Sequence, residues 1–402
     1  MPAWLRLAIG GAATLLLGMG LGRFSYAPLL PAIIQDGALS AAEAGYIGAF
    51  NLSGYLVGAM VTPILRRRFA DAPLLRGALL ISLACLICSI FPLGFIWLAW
   101  WRFLVGVTVA VMMINALSLV AIAAPSNALG KATGIVFTGV GIGILCSGVA
   151  VPWLLGFGLT SAWTGLAAIG LVSAVVAWWG WGVAENSMAQ RDVRPPQRPK
   201  VTAAIIRLVV AHGMYSIGLA PHTIYWVDYI ARGLDQGVAA GGAQWVLVGI
   251  GAVTGTYLAG WLADRIGFGV SLVLVFTVLA IGVALPVLIV APVTLVASSL
   301  IFGAQPALST VIAGRARQVV GPHDMPHVWR WMVLAVGLGQ TVAGYGLVMM
   351  LNATGNYTPV FLTGGAAMAA GALFSLPIWS KSDPDYQNST HKCLNKEERL
   401  VG

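Results

Sequence analysis

The chain has 402 residues, of which 59% are hydrophobic and only 9% are charged, and its formal net charge is +9. Soluble domains carry roughly 25% charged residues, so this composition excludes an ordinary soluble protein. The basic residues lie in short loops beside long apolar runs, which is typical of membrane proteins and argues against a nucleic-acid partner.

Long apolar runs follow one another along the whole chain. A run of about 20 apolar residues crosses a bilayer as a helix, which satisfies its own backbone hydrogen bonds in lipid. We therefore predict an all-α polytopic membrane protein with twelve transmembrane spans, at 5–34, 43–65, 74–92, 94–123, 128–157, 160–183, 203–231, 238–263, 268–290, 292–314, 326–352 and 356–380.

The two halves of the chain repeat one another. Gly54-Tyr-Leu-Val-Gly58 corresponds to Thr256-Tyr-Leu-Ala-Gly260, and Ala27-Pro28 corresponds to Ala220-Pro221. Repeated membrane halves are typical of secondary transporters, which bind their substrate near the midplane, between the repeats. The sequence thus predicts two pseudo-symmetric bundles of six helices each.

The boundaries of these halves follow from the polar stretches. We predict an N-terminal bundle at 1–184, a linker at 185–201, a C-terminal bundle at 202–380 and a polar tail at 381–402. The linker is rich in proline and basic residues, so we expect a semi-rigid connection that contacts anionic lipid head groups.

Basic residues are distributed unequally between the two sides of the membrane. The loops on the side of the termini hold most of them, including Arg66, Arg67 and Arg68, whereas the opposite loops hold Arg232 alone. The positive-inside rule then predicts a multi-pass plasma-membrane protein with both termini in the cytoplasm, and the compact loops favour a bacterial inner membrane.

Three sequence motifs are similar to those of a known protein family. Gly260-Trp-Leu-Ala-Asp264-Arg265-Ile-Gly267 follows span 8, Arg102-x-x-x-Gly106 lies in span 4, and Gly20-Leu-Gly-Arg-Phe-Ser-Tyr-Ala-Pro-Leu-Leu-Pro31 lies in span 1. Together with twelve spans in two repeated halves, they resemble the major facilitator superfamily, and the span 1 string resembles its YbfB/YjiJ-like branch.

That resemblance implies a gating motif and a central cavity. It assigns Gly260, Asp264, Arg265 and Gly267 to a latch on the inward side, and it places spans 1, 4, 7 and 10 around the cavity. The first half lacks the intact motif, because Thr62-Pro63 stands where Asp-Arg would fall after Gly58.

Arg23 and Arg102 are candidate substrate ligands. An arginine at the centre of a membrane helix costs about 2.5–3.5 kcal/mol on insertion scales, and the first half offers no deep acidic residue to pair with either one. We interpret them as a site for a carboxylate or phosphate, with Tyr26 nearby; the alternative for Arg102 is a structural or proton-coupling role. Aligning the halves places neutral Ser216 and Gln305 at the corresponding positions.

Span 7 supplies further candidates. Its residues His212, Tyr215, Leu219, His222 and Trp226 fall within about 80° of helical arc. We predict that Tyr215, His222 and Trp226, with Gln305 of span 10, bind substrate, and that His212 or His222 carries a proton; a packing face is the alternative.

Asp228, near the outer end of span 7, is a third candidate for proton coupling. Arg232 follows at i+4, so a local ion pair is favoured over a long-range pair with Arg23.

Other functional classes lack their sequence signals. We find no Walker-type phosphate loop, no nucleophile–base set, and only the His323/His327 pair at metal-ligand spacing, so we expect no enzyme activity, cofactor, metal or ATP use. The sequence predicts a monomeric secondary transporter of a small organic anion, proton-linked or facilitated. The alternative is a proton-driven exporter of lipophilic or cationic compounds, which an acidic residue facing the cavity would favour; Asp228 is the only candidate.

Overall fold

The computed structural model describes residues 1–125, 128–182 and 201–376, and these are almost entirely helical. The predicted tail at 381–402, and the predicted linker apart from residue 201, lie outside the described residues. The exact boundaries of the two halves therefore stay predictions.

The predicted number of spans is confirmed. Within the described ranges, eleven helices are long and apolar enough to cross a membrane, and a bent pair of helices makes the twelfth span. In chain order the spans are Ala3–Gln35, Ala41–Arg68, Asp71–Cys88, Phe95–Ala123, Leu129–Leu155, Leu159–Trp181, Ala203–Gly233, Gly237–Ile266, Phe268–Leu288, the pair Pro292–Gly303 and Pro306–Gly321, His327–Thr354 and Tyr357–Ser375. The protein is a multi-pass membrane protein built of two six-helix bundles.

Span 10, predicted at 292–314, is a bent pair of helices that extends to residue 321. Its two pieces meet at an angle of 42° and the second piece continues to Gly321. Pro306 begins that second piece, where a proline lacks the N–H for a helical hydrogen bond and its ring clashes with the preceding turn. Gly321 has φ 76°, a left-handed conformation that glycine adopts without strain, and it turns the chain into span 11.

Spans 1 and 7 each contain a π-helical stretch. In span 1 it covers Leu16–Phe24, and in span 7 it covers Tyr229–Gly233. Such wide turns interrupt the regular i→i+4 pattern and occur frequently at functional sites. One stretch carries Arg23 and the other carries Arg232, so both arginines lie in irregular backbone.

Spans 2 and 4 cross in close contact. A Cβ at Gly106 would lie 2.1 Å from the backbone oxygen of Asn51, and a Cβ at Gly54 would lie 2.1 Å from that of Phe103. Small residues at such crossings let backbones approach in lipid, where no hydrophobic driving force holds helices together. The crossing places Arg102 of span 4 directly beside span 2.

The two bundles also pack against each other. We call the face that carries residues 1 and 376 the terminal face, and the opposite face the distal face. A Cβ at Gly45 would lie 2.6 Å from the Tyr225 hydroxyl, and one at Gly148 would lie 3.1 Å from the backbone oxygen of Gly242. These residues lie between the midplane and the distal face, so the bundles are in close contact on that side.

Candidate functional site

Arg23 and Arg102 come together between spans 1 and 4. Their side chains are only 6% and 1% exposed. Nη2 of Arg102 donates a hydrogen bond to the backbone carbonyl of Arg23 at 3.2 Å, which joins the two spans at this point. The carbonyl of Arg102 in turn accepts a hydrogen bond from Nδ2 of Asn51 at 2.9 Å.

Aromatic rings surround both guanidinium groups. Cζ of Arg102 lies 4.8 Å from the ring centre of Tyr26, and Cζ of Arg23 lies 5.5 Å from that of Tyr55 and 5.6 Å from that of Phe24. Ring faces attract cations and partly compensate for the loss of water around them. Tyr26 is held in place by its hydroxyl, which donates to the backbone oxygen of Ala44 at 2.8 Å.

The two guanidinium groups keep unused donors. Nε of Arg23 and both Nε and Nη1 of Arg102 are buried without a hydrogen-bond partner among the described residues. No described carboxylate forms an ion pair with either arginine. A buried charged donor without an acceptor is costly, so this arrangement suits an anion that accepts several hydrogen bonds at once.

A small cavity of about 10 Å³, with room for about one water molecule, adjoins the pair. Both halves contribute to its wall, which consists of Arg23, Tyr26, Gly48, Asn51, Leu52, Arg102, Thr223 and Ile224. Sequence reasoning identified the arginines and Tyr26 but missed Asn51 and Thr223. Asn51 could have been recognised in the sequence, because an amide side chain midway along an apolar span is unusual. Nothing in the sequence distinguished Thr223, whose hydroxyl donates to the backbone carbonyl of Leu219.

Tyr215, Gln305 and His212 form a second polar cluster, between spans 7 and 10. The Tyr215 hydroxyl donates to both the side-chain and the backbone oxygen of Gln305. His212 stacks on Tyr215 with ring centres 5.6 Å apart and lies 5.7 Å from the ring of Trp329. Tyr215 lies within electrostatic range of Arg23, so this cluster of the C-terminal half is near the arginine pair.

His222 and Trp226 occupy a different environment. Nε2 of His222 bonds the Ser298 hydroxyl at 2.9 Å, and Nε1 of Trp226 donates to Ser299 at 3.0 Å. The His222 ring also stacks against Phe302 with centres 4.4 Å apart. The structure thus packs these two side chains against span 10, inside the C-terminal bundle, and neither lines the cavity beside Arg23.

Asp228 forms the local ion pair with Arg232. Its carboxylate is fully buried and accepts from Nε of Arg232 at 2.5 Å and from Nη2 at 2.7 Å. The Tyr357 hydroxyl donates a third hydrogen bond to it at 2.6 Å. We call Asp228, Arg232 and Tyr357 the distal ion-pair cluster, and it joins the distal ends of spans 7 and 12.

The predicted latch residues lie at the terminal face. The side chains of Asp264 and Arg265 are exposed, and Arg265 lies 4.2 Å from the ring centre of Trp261. Gly267 has φ 85°, which suits the tight connection between spans 8 and 9. The side-chain surroundings of Gly260, and those of His323 from the predicted histidine pair, lie outside the described residues.

The first half carries a different contact at the corresponding place. Arg66 donates to Asp71 at 3.1 Å and to the Ser118 hydroxyl at 3.0 Å. It therefore connects the end of span 2 to spans 3 and 4, although the Asp-Arg string is missing there. From the sequence, Arg66 was identified only as one of three consecutive basic residues on the side of the termini.

Known proteins similar to this chain are transporters. A family described as "Uncharacterised MFS-type transporter YbfB" matches residues 15–376. The inner membrane transport protein YdhP of Escherichia coli K12 is 27% identical over 383 residues, which covers 92% of this chain and 90% of the relative. Its counterpart in E. coli O157:H7 has the same identity and coverage.

Solved structures share the fold. A D-xylose-proton symporter gives a TM-score of 0.72 at 17% identity and covers 92% of this chain and 97% of its own. The xylose transporter XylE from E. coli, in an inward-open conformation, gives 0.70 at 17% identity and covers 92% and 94%. These likenesses place the twelve spans in the same arrangement as in those proteins.

Proposed function

The chain belongs to the YbfB-type family of major facilitator transporters, and on that premise we propose that it carries a small organic anion bound by Arg23 and Arg102. Membership in this family makes the protein a secondary transporter, not an enzyme. The observation that carries the choice of substrate class is the set of buried donors on the two arginines that have no acceptor among the described residues.

The chemistry of the pair favours carboxylate or phosphate. Arginine presents planar donors in a fork that matches such groups, and low surrounding polarity strengthens each charged hydrogen bond. Asn51 and Thr223, which line the same cavity, offer additional polar contacts from either half. We propose Tyr215 and Gln305 as the facing wall of a larger site that forms when the halves move.

Alternating access follows from the packing of the halves. We propose that the terminal face lies in the cytoplasm, as the distribution of basic residues favours, and that the distal face is therefore the outer one. The close contacts at Gly45 and Gly148 then close the outer side. Rocking of one bundle against the other around the arginine pair would open that side, as in transporters built from repeated halves.

His212 is our proposed proton carrier. Proton coupling itself is supported by the similarity to a protein described as a D-xylose-proton symporter. His212 stacks on Tyr215, near Arg23, and its Nδ1 has no hydrogen-bond partner among the described residues. Nδ1 of His222 also has no partner among the described residues, but its Nε2 bonds Ser298 and its side chain does not line the cavity beside Arg23. The third candidate, Asp228, is held in the distal ion-pair cluster.

The rival function is export of lipophilic or cationic compounds, which an acidic residue facing the cavity would favour; among the described residues, none of the side chains that line the cavity of the arginine pair is acidic. Asp228 was the candidate for an acid facing the cavity, and its carboxylate instead bonds Arg232 and Tyr357 at the distal end. Two unpaired guanidinium groups repel a cation. The anion is therefore the better match to this site.

A thermal-shift screen of purified protein tests the substrate class. Small carboxylates, phosphates, amino acids and cationic dyes are compared on the wild type, on Arg23→Gln and on the control Arg317→Gln, whose exposed side chain lies near the terminal face. We expect one anion class to raise the melting temperature of the wild type and of Arg317→Gln, but not of Arg23→Gln. Shifts caused by dyes and retained in Arg23→Gln would reject the anion site.

Transport in proteoliposomes tests the coupling. The vesicles enclose a pH dye. If protons move together with an anion identified by the screen, or in exchange for it, anion transport should change the pH of the vesicle lumen. We expect His212→Gln to abolish that pH change while anion exchange continues, because exchange needs no net proton movement. Unchanged proton movement in His212→Gln would remove this residue from the proposal.

A further inference from the structure

A much larger cavity opens at the distal face. Its volume is about 530 Å³, within the range of roughly 300–1,000 Å³ that is usual for small-molecule sites. We call it the distal vestibule. It is lined by Ala41, Ala42, Tyr225, Tyr229, Arg232, Gly233, Val348, Leu351, Asn352, Gly355, Asn356 and Tyr357.

The vestibule is separate from the cavity of the arginine pair. Tyr225 lines the vestibule, whereas the two residues before it, Thr223 and Ile224, line the inner cavity. A single turn of span 7 thus divides the two spaces. The contact between Tyr225 and Gly45 of span 2 completes this division.

Two polar groups of the vestibule have unused donors. The Tyr225 hydroxyl is buried, with the residue 1% exposed, and has no hydrogen-bond partner among the described residues. Arg232 uses Nε and Nη2 on Asp228 and Tyr357, and its side chain remains 24% exposed. No bond from Nη1 of Arg232 to a described residue is observed, so this nitrogen is free to donate into the vestibule. The exposed amide of Asn352 adds a third polar group.

Aromatic and aliphatic side chains form much of the remaining wall. Three tyrosine rings, those of Tyr225, Tyr229 and Tyr357, contribute to it together with the aliphatic side chains of Val348 and Leu351. Tyrosine rings provide large rigid contact surfaces for other flat groups. The wall therefore suits a planar ring, and the donors at Arg232 and Tyr225 suit a carboxylate on that ring.

The acidic residues of the distal face do not oppose such a ligand directly. Asp228 is fully buried and its oxygens are occupied by Arg232 and Tyr357. Glu43 bonds back to Ser40 at the start of span 2. Asp36 and Asp235 are the other acidic residues at this face, and neither these two nor Glu43 lines the vestibule.

We propose that the distal vestibule is a second ligand site, which binds small aromatic monocarboxylates. The carboxylate accepts hydrogen bonds from Nη1 of Arg232 and from the Tyr225 hydroxyl, and the ring lies against the tyrosine side chains. This site goes beyond the proposed transport site and does not depend on it, because the two share no lining residue.

Photoaffinity labelling of the purified, full-length protein tests the proposal. The probe is 4-azidobenzoate, and labelled peptides are mapped by mass spectrometry with benzoate or benzamide as competitor. We expect labels on vestibule residues, and we expect benzoate to compete about fivefold better than benzamide, because its hydrogen bonds are charge-assisted. Equal competition by benzamide would overturn the assignment of a carboxylate site.

Substitutions separate this site from the arginine pair. Ala42→Trp fills the vestibule and should reduce labelling about tenfold, whereas the control Ala353→Trp, at an exposed position outside the vestibule, should leave it unchanged. Tyr225→Phe, which removes only the unpartnered hydroxyl, should weaken benzoate about three- to tenfold. Labelling that persists in Ala42→Trp would refute the proposal.

Arg23→Gln distinguishes failure of this proposal from failure of the transport site. Vestibule labelling should be unchanged in Arg23→Gln. Labelling lost only in Arg23→Gln would place the probe at the arginine pair, which supports the proposed function and refutes the vestibule site. Vestibule labelling in every protein except Ala42→Trp, with no thermal shift that depends on Arg23, would support the vestibule and reject the proposed transport site.

Discussion

Arg23 and Arg232 both lie in π-helical stretches, but only Arg232 has a carboxylate partner among the described residues. Arg232 donates two hydrogen bonds to the buried carboxylate of Asp228, which also accepts from Tyr357. The guanidinium group of Arg23 lies beside the rings of Phe24 and Tyr55, and its Nε has no hydrogen-bond partner among the described residues. The ion pair of Arg232 stabilises the fold and leaves only Nη1 for a ligand of the distal vestibule, whereas a buried charge with no carboxylate partner among the described residues indicates a binding role.

One stabilising contact is repeated in both halves of the protein, whereas the buried arginines of the candidate site are not. Arg6 donates to the carbonyl of Trp179 at 3.0 and 2.7 Å, where span 6 ends. Arg207, at the corresponding place in the second half, donates to the carbonyls of Phe374 and Leu376 at 3.0 and 2.9 Å, where span 12 ends. A cation near a helix C-terminus interacts favourably with the helix dipole, and both halves contain such an arginine–carbonyl contact. The buried arginines of the first half are not repeated, which makes the site asymmetric.

The largest expected effect comes from breaking the distal ion-pair cluster. Arg232→Met leaves the carboxylate of Asp228 buried without its cation, and we expect the free energy of unfolding to fall by about 3–5 kcal/mol. Equilibrium unfolding in mixed micelles measures it. Adding Asp228→Asn to Arg232→Met removes the uncompensated charge and should restore most of the loss. A single variant as stable as the wild type would show that the pair contributes little.

Removal of the third hydrogen bond should have a smaller effect of the same sign. Tyr357→Phe deletes the hydroxyl that donates to Asp228, and we expect the free energy of unfolding to fall by about 1.5–3 kcal/mol. The same unfolding assay serves here. Tyr46→Phe is a matched control, since no hydrogen bond from the Tyr46 hydroxyl to a described residue is observed. Equal effects of the two substitutions would assign the loss to ring packing.

Substitution of Arg23 should change the free energy of unfolding in the opposite direction. Arg23→Met removes a buried charge without a carboxylate partner, and we expect the free energy of unfolding of the ligand-free protein to rise by about 1–3 kcal/mol. Anion transport in proteoliposomes should be lost in the same variant. A fall in stability comparable to that of Arg232→Met would mean that Arg23 is structural.

Placing a carboxylate beside the pair should make it resemble the distal cluster. Thr223→Asp adds an acid to the wall of the small cavity, and we expect stability to rise by about 1 kcal/mol, because pairing exceeds the cost of burial only slightly. The thermal shift caused by added anions should disappear, while the uncharged control Thr223→Asn should keep it. Full retention of the anion shift in Thr223→Asp would place the anion elsewhere.

Hydropathy and charge patterns along the chain were sufficient to predict the membrane architecture. Lipid forces each long apolar run into a helix, so hydropathy located all twelve spans, and the bend of span 10 fell at Gln305-Pro306, which the sequence displays. The cost of a charge in lipid also made Arg23 and Arg102 conspicuous without any structure. The i+4 spacing of Asp228 and Arg232 was sufficient for their ion pair.

The side-chain neighbours of these residues could not be predicted from the sequence, because they depend on how the helices pack. A helical arc groups His212, Tyr215, His222 and Trp226, but the arc does not say which span each side chain faces. Packing sends His222 and Trp226 to serines of span 10 and keeps His212 and Tyr215 near Arg23. Tyr357 reaches Asp228 across 129 residues of sequence. Such contacts depend on how helices rotate and cross, and close approaches between backbones set that geometry, not the local pattern.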